Sequence, residues 1–465
     1  MKVMLVSFPS NAHDGLLLKE ETPPLALYVL AASLRVQSHE VIIIDPNIFH
    51  DISLSSAMDK FICIVEDNIN NLHLIGFSAN TFNWAIAKIA INRVKEKYKN
   101  LTVVLGGLHA SIFDKYILST TPVDYIIRGE GEVLLNRLLN AIHNDKEPIE
   151  SICGLSYYKD EHITSNPDNL LLSSEELNKL PLPAYDLIPR NSYDHISAET
   201  SRGCRYSCAF CSIPYRYAWR SFSKQDIIAR IKYAKRYIHY VNVKNIINIS
   251  DDCFTEDSDR AYEILKYLYE EKDGITYFIE ARISNLLKNN LVEKIKPDYI
   301  FRMQVGIECG YDEGLRKIRK GLSINQIHEC FSRMKLTGLN SKAFVSFIIG
   351  FPWETKEDII KTITTMQQIV VKYNVFCNLN WLLFLPSDLW NNRKYYNIFV
   401  NESLYDDFLW HAYLDYFLDC HPLITYSDFK DINRLLFQIQ TKNPLFNFNM
   451  PIFLHNEHQK SQIRE

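Results

Sequence analysis

Short apolar runs rich in β-branched residues recur along this chain, each followed by a longer stretch with helical spacing. This alternation leaves few architectures open. In the first third, Val3–Phe8, Glu40–Asp45, Leu72–Ser78, Thr102–Gly106 and Tyr125–Arg128 read as strands. Helices are expected at Leu25–Arg35, at Trp84–Tyr98 and from GEGE through Ile142, the first introduced by Pro23 and Pro24. Wholly apolar strands separated by helices belong in a parallel sheet covered on both faces. A doubly wound, Rossmann-like α/β domain is therefore expected over residues 1–145, with any ligand beyond the carboxyl ends of its strands. At those ends stand Ser78, Asn80, Gly106, Gly107, His109, Gly129 and Glu130.

Residues 146–195 break the pattern. Gly154–Ile163 reads as a hairpin, and Pro167, Pro181, Pro183 and Pro189 make the remainder an extended linker. The alternation returns over residues 196–390. Strands are expected at His195–Thr200, Asn245–Ser250, Tyr277–Arg282, Tyr299–Ile307, Ala343–Gly350 and Asn378–Leu385, with five helical segments between them. Such a series predicts a partial (β/α)6 TIM-like barrel with its site at the strand C-termini. Residues 391–465 read as a helical, aromatic-rich region that caps the substrate, with a frayed polar end.

The chain has 465 residues, enough for two or three domains. Its net charge of −4 argues against a nucleic-acid partner, which a basic patch would recruit. No run is long and apolar enough for a membrane span. MKVMLVSFPS reads as a buried strand and not as an export signal, so a cytoplasmic location is expected. The 27 Tyr and 25 Phe exceed what a core needs and point to a wide apolar cavity.

Of ten cysteines, three form a tight group, Cys204, Cys208 and Cys211, in SRGCRYSCAFCSIP after a predicted strand. Without an export signal, grouped cysteines read as metal ligands or redox groups and not as a disulfide framework. Thiolates suit zinc or an iron–sulfur cluster. A structural zinc site takes four ligands, and no fourth Cys or His lies at a zinc-like spacing. Three thiolates on a cluster would leave one iron open for a substrate. Cys63, Cys153, Cys330, Cys377 and Cys420 read as structural; Cys309 is a redox participant or a small core residue. Tyr215, Tyr217 and Trp219 are substrate or electron-donor contacts, or packing.

The C-x3-C-x2-C spacing, with Phe210 inside the second gap, resembles the radical S-adenosylmethionine superfamily. The resemblance continues through ISDDCFTED, FIEARIS, MQVGIECG, FIIGFPWET and PSDLW, in the family's order. It implies a [4Fe–4S] cluster whose open iron chelates S-adenosylmethionine. Asp251 and Asp252 would then lie near the cofactor's amine, Arg282 at its carboxylate, Glu280 on the polar rim, Glu308 near the ribose and the Gly350 backbone against the adenine. Read without the resemblance, Asp251–Asp252 could cap a helix, Glu308 and Arg282 could pair, and Gly350–Phe351–Pro352 is a turn.

The first domain is similar to the cobalamin-binding domain fused ahead of many radical enzymes. TPPLALYVLAASLR, HEVIIID, LIGFSANT, VVLGGLHAS and DYIIRGEGE carry the likeness. It implies cobalamin lined by Ser78, Asn80, Gly106, Gly107 and His109, with Gly129 and Glu130 close by. The family's D-x-H-x-x-G loop is altered: SNAHDGLL keeps His13, but Asn11 replaces the Asp and the Gly comes one residue early, so His13 is only a candidate cobalt ligand.

Together the resemblances imply reductive cleavage of S-adenosylmethionine to a 5′-deoxyadenosyl radical and methyl transfer from methylcobalamin to an unactivated carbon. The substrate would be a small-molecule or peptide-derived intermediate, and the electron would come from an external flavodoxin- or ferredoxin-like reductant. A non-methylating cyclisation, ring contraction or rearrangement with the same cofactors is the alternative. Methylthio transfer would want a second cluster's worth of cysteines in the first domain, where only Cys63 and Cys153 are expected. A zinc-bound interaction module or a cobalamin-based sensor is the non-enzymatic reading.

Overall fold

Val3, Met4, Leu5 and Val6 are all buried, so the first strand, β1 (Lys2–Val6), is covered on both faces. The computed structural model describes residues 1–449 apart from 11, 14, 145–146, 169–170, 214–217 and 407–412; of the side chains of 12, 13, 144 and 413–416 nothing is described. The chain divides into two compact units.

The first unit comprises Met1–Ala198, Arg220–Lys244 and Tyr405–Phe408. Beside β1 lie β2 (Glu40–Ile44), β3 (Leu74–Ser78), β4 (Thr102–Gly106), β5 (Tyr125–Ile127), β6 (Leu155–Lys159) and β7 (His162–Ser165). Their order in the sheet is β2-β1-β3-β4-β5-β6-β7. The first five are parallel, and β6 and β7 add antiparallel at the edge. Leu27, Ala31 and Leu34 of the helix Leu25–Val36 and Leu135, Leu138 and Leu139 of the helix Gly131–Asn144 pack on Val3, Leu5 and Leu74. This is the expected doubly wound α/β architecture.

The boundary expected at residue 145 moves. The hairpin β6–β7 extends the sheet, and Ile152, Leu155, Tyr157 and Ala184 enter its core. The proline-rich stretch is therefore packed, because apolar residues between and just after the prolines are buried, Leu177, Tyr185, Ile188 and Tyr193 among them. The helix Lys224–Tyr237, expected in the barrel, also belongs here: Tyr233 stacks on Tyr185, and an Arg230 guanidinium donates to Leu180 O at 3.1 Å. Strand β8 (Ile196–Ala198) ends the first segment of this unit.

The second unit contains β9 (Ile246–Ile249), β10 (Thr276–Ala281), β11 (Ile300–Glu308), β12 (Ala343–Ile349), β13 (Phe376–Trp381) and β14 (Phe446–Phe448). Each lies parallel beside the next in chain order, as a partial barrel requires. Burial alternates along β10 and β12, leaving one face half-buried. Glu280, Gln304, Gly306 and Ser346 occupy that face. The region expected to be helical after residue 390 holds the helices Tyr413–Cys420 and Tyr426–Gln440 but then returns to the sheet as β14. Its last ten residues, expected to fray, lie outside the described residues. Among the described residues no helix is long and apolar enough to cross a membrane.

Candidate functional site

The cluster loop follows a turn built around one buried carboxylate. Asp251 accepts the backbone N–H groups of Thr200 (2.7 Å) and Ser201 (2.9 Å) and both their hydroxyls, with Arg260 at 3.7 Å. With both oxygens engaged and 3% of its surface exposed, Asp251 buttresses the entry to the loop and is not open to a cofactor amine. Nor does it cap a helix; Asp257 caps Ser258–Glu271. Asp252 is exposed and accepts Gly203 N–H at 2.8 Å.

Cys208 is buried, Cys204 and Cys211 are half-buried, and none of the ten cysteines forms a disulfide. Burial pushes the Cys204 thiol up to about 12, so its metallation must release a proton. Its neighbour Glu256, which Cys204 approaches at 3.9 Å, is itself raised by burial. Among the described residues no three Cys, His, Asp or Glu converge on a point where one ion would sit.

Arg282 follows β10. It sends Nη1 to Cys208 Sγ at 3.5 Å and lays its guanidinium on the Tyr206 ring at 3.7 Å. Nε and Nη2 are buried without a hydrogen-bond partner among the described residues. A buried fork with two unspent donors fits a carboxylate ligand. Burial, then the nearby Asp252 and Glu308, pushes the Glu280 carboxyl up to about 7 against the opposing pull of Lys320.

Glu308 ends β11 in a left-handed conformation (φ 72°), where the register with β12 slips between Gly306 and Glu308. Non-glycine residues held there cost about 1–3 kcal/mol and concentrate at functional sites. The carboxylate pairs with Lys320 at 3.2 Å and receives the Ser346 hydroxyl at 3.3 Å. The Glu308–Arg282 pair does not form. Gly350 (φ 85°) needs to be glycine, because a Cβ would lie 2.7 Å from the Trp381 ring. Its N–H and that of Phe351 donate to buried Glu354 at 2.7 and 2.9 Å. Phe351 then reaches Phe210 of the cluster loop, ring centres 6.0 Å apart. Phe210, Glu280, Arg282, Glu308 and Gly350 thus gather at the carboxyl edge of this sheet. Lys320 and Tyr206, which sequence reasoning missed, join them; Lys320-Gly321 in RKGLS was the available signal. Cys309 is a core residue, fully buried. Trp219 packs under Arg205 at 4.4 Å; Tyr215 and Tyr217 lie outside the described residues.

In the first unit, Ser78 and Gly106 end adjacent strands in register. Asn80 shapes the next loop by accepting Phe82 N–H at 2.8 Å and Asn83 N–H at 3.1 Å. Gly107 (φ 97°) abuts that loop so closely that a Cβ would lie 2.5 Å from Ala79 O. Beside Gly129 (φ 93°) a Cβ would meet nothing within 4 Å. This edge of small residues and open backbone fits a broad, flat ligand. Two expected lining residues turn elsewhere. His109 is fully buried, stacked on Trp84 at 5.0 Å and edge-on to Phe113 and Tyr405, and burial lowers its pKa to about 3. Glu130 is buried against Arg220 (2.8 Å) and Leu172 N–H (2.7 Å). Ala12–His13 is a two-residue strand, but the His13 side chain lies outside the described residues.

Residues 16–139 match the family described as the B12 binding domain, and residues 198–366 match the radical SAM superfamily. The chain is a radical S-adenosylmethionine enzyme with a B12-binding domain. Cobalamin, S-adenosylmethionine and a [4Fe–4S] cluster are the cofactors of these two domains. This radical enzyme is 29% identical over 81% of its length to the uncharacterized methyltransferase PH0819 of Pyrococcus horikoshii, of which it covers 80%. It is 23% identical to the anaerobic magnesium-protoporphyrin IX monomethyl ester cyclase of Synechocystis, covering 74% of this chain and 68% of that one. Among solved structures, the cobalamin-dependent S-adenosylmethionine radical enzyme OxsB shares the fold, with a TM-score of 0.65 at 18% identity over 78% of this chain. The chain spans 52% of OxsB.

Proposed function

We propose that this enzyme transfers a methyl group to an unactivated carbon of a small-molecule or peptide-derived intermediate. The observation that carries the reading is the pairing of a B12-binding and a radical S-adenosylmethionine domain in a chain that aligns over most of its length with a protein named a methyltransferase. When bound, the cluster supplies the electron that splits S-adenosylmethionine, and cobalamin carries the methyl group. Cys204, Cys208 and Cys211 hold the cluster. Arg282 takes the cofactor's carboxylate with Nε and Nη2, which have no hydrogen-bond partner among the described residues. Asp252 and Glu280 face its amine, Glu308 its ribose hydroxyls, and Phe210 and the Gly350 backbone its adenine. Ser78, Asn80, Gly106, Gly107 and Gly129 line the cobalamin. An external one-electron reductant completes the reaction.

The test is product analysis with S-adenosylmethionine deuterated in its methyl group. Methylation places that label in the product and consumes two S-adenosylmethionine molecules for each one formed. The likeness to a cyclase supports a second reading, a ring closure or rearrangement with the same cofactors; an unlabelled product formed with one S-adenosylmethionine would select it.

A further inference from the structure

The last two strands of the second unit carry amides on one face. Along β13, Cys377, Leu379 and Trp381 are buried on the outer side, and Asn378 and Asn380 alternate with them on the other. β14 repeats the pattern: Phe446 and Phe448 are buried, and Asn447 lies opposite Asn378. On its other side Asn378 lies opposite Ser346, and Asn380 lies opposite Ile348, two residues before Gly350. The amides therefore share the polar face of the sheet, with Asn380 nearer its carboxyl edge. They are bonded in one sense. Gln440 Nε2 donates to Asn447 Oδ1 at 3.0 Å. Asn447 Nδ2 donates to Asn378 Oδ1 and, at 3.3 Å, to Asn449 Oδ1. Asn449 Nδ2 donates to Asn380 Oδ1 at 2.6 Å. Every Asn oxygen of the group is thereby engaged, whereas the Nδ2 groups of Asn378 and Asn380 donate to nothing among the described residues. Each of those two keeps a pair of N–H donors.

Donors held in this way select their ligand. A hydrocarbon would leave them unmatched, at about 1–3 kcal/mol for each group it buries. An anion is ordinarily met by a guanidinium or ammonium, and no cation bonds to these amides among the described residues. Neutral carbonyl oxygens match them. The two amides recur at every second residue of a strand, about 6.6 Å apart, and an extended peptide turns its carbonyls to one side at the same interval. We propose that Asn378 and Asn380 are substrate-recognition residues that take two backbone carbonyls of an extended peptide. Asn447 and Asn449 fix their orientation by occupying their oxygens, and Gln440 orients Asn447. The proposal rests on the reading that a methyl-accepting substrate enters at this edge of the sheet, and it selects a peptide as that substrate.

The experiment uses the full chain, reconstituted with its cluster and cobalamin, with S-adenosylmethionine present and no reductant. The probe is N-acetyl-tetraalanine amide, which offers backbone carbonyls and no other polar group but its amides. Its binding is followed by saturation-transfer NMR, with glutarate as the carboxylate comparison. Wild type is expected to bind the peptide with a Kd of about 1 mM and glutarate at least tenfold more weakly. Asn378→Asp and Asn380→Asp keep the oxygen that the neighbouring amide needs and lose only the free N–H pair, so each should weaken peptide binding about tenfold. Asn380→Leu should do the same, and where it fails to fold the Asp variants decide. No saturable peptide binding up to about 20 mM overturns the proposal, since that is weaker than even two hydrogen bonds should give. So does wild-type affinity in both Asp variants. Tighter binding of glutarate than of the peptide assigns the amides to a carboxylate and overturns it as well. The titration involves no turnover, so its outcome is separate from that of the labelled-methyl experiment: transfer can fail while the peptide binds, and the peptide can fail to bind while another substrate is methylated.

Discussion

Arg282 places one guanidinium nitrogen 3.5 Å from Cys208 Sγ and keeps two further N–H groups buried with no hydrogen-bond partner among the described residues. One side chain thereby joins the cluster loop to the carboxyl end of β10. Replacing it with Lys retains the charge but not the planar fork. Arg282→Lys is expected to bind S-adenosylmethionine ten- to a hundredfold more weakly, about 1.5–3 kcal/mol, with its iron content unchanged. Calorimetry on the reconstituted variant checks both.

Burial raises the carboxyls of Glu280 and Glu354 from the ordinary 4.5 to about 7. Their folded pKa values lie above their unfolded ones, so between these values the folded state binds more protons and stability falls as pH rises. The thermal midpoint of the cofactor-free protein is therefore expected to drop from about pH 5 to about pH 7. Glu280→Gln and Glu354→Gln should each flatten that drop. A slope unchanged in both variants would contradict the assignment.

The strands and the grouping of the three cysteines proposed as cluster ligands were legible because each rests on a local signal. Val3–Val6 reads as a buried strand from its own residues, and Cys204, Cys208 and Cys211 announce themselves by spacing. What stayed hidden depends on partners far along the chain. Asp251 looks like a cofactor contact until Thr200 and Ser201 are seen to occupy it. Glu130 looks like a lining residue until Arg220 meets it across 90 positions. Strand β14 has three residues and pairs with a strand about 70 positions earlier, so no periodicity marks it. The prolines of residues 146–195 suggested an open linker, but the apolar residues between them decided the packing.

Gly350 combines a left-handed backbone with a ring face where a side chain would begin. Gly350→Ala is expected to destabilise the protein by about 2–4 kcal/mol, from strain and overpacking together. Denaturant unfolding measures it; a loss below about 0.5 kcal/mol, the scale of an ordinary surface substitution, would show that the turn relaxes.

Asp406 gathers Lys88 Nζ at 2.7 Å, Trp84 Nε1 at 3.0 Å and the Tyr116 hydroxyl, while Tyr405 packs on His109 and Phe113. Asp406→Ala removes the acceptor that three donors share and should cost the first unit about 2–4 kcal/mol. Amide exchange in the helix Trp84–Lys97 should accelerate, and exchange at the wild-type rate would show that the carboxylate anchors nothing.

Cys208→Ala should abolish reductive cleavage of S-adenosylmethionine and leave cobalamin binding intact, because the two cofactors belong to different domains. Retained cleavage would remove Cys208 from the cluster.

The most direct test of the whole account is anaerobic reconstitution with iron, sulfide and hydroxocobalamin, followed by an absorption spectrum and metal counts. Two bound cofactors predict about four irons and one cobalt per chain. Zinc in place of iron, or iron without cobalt, would contradict it.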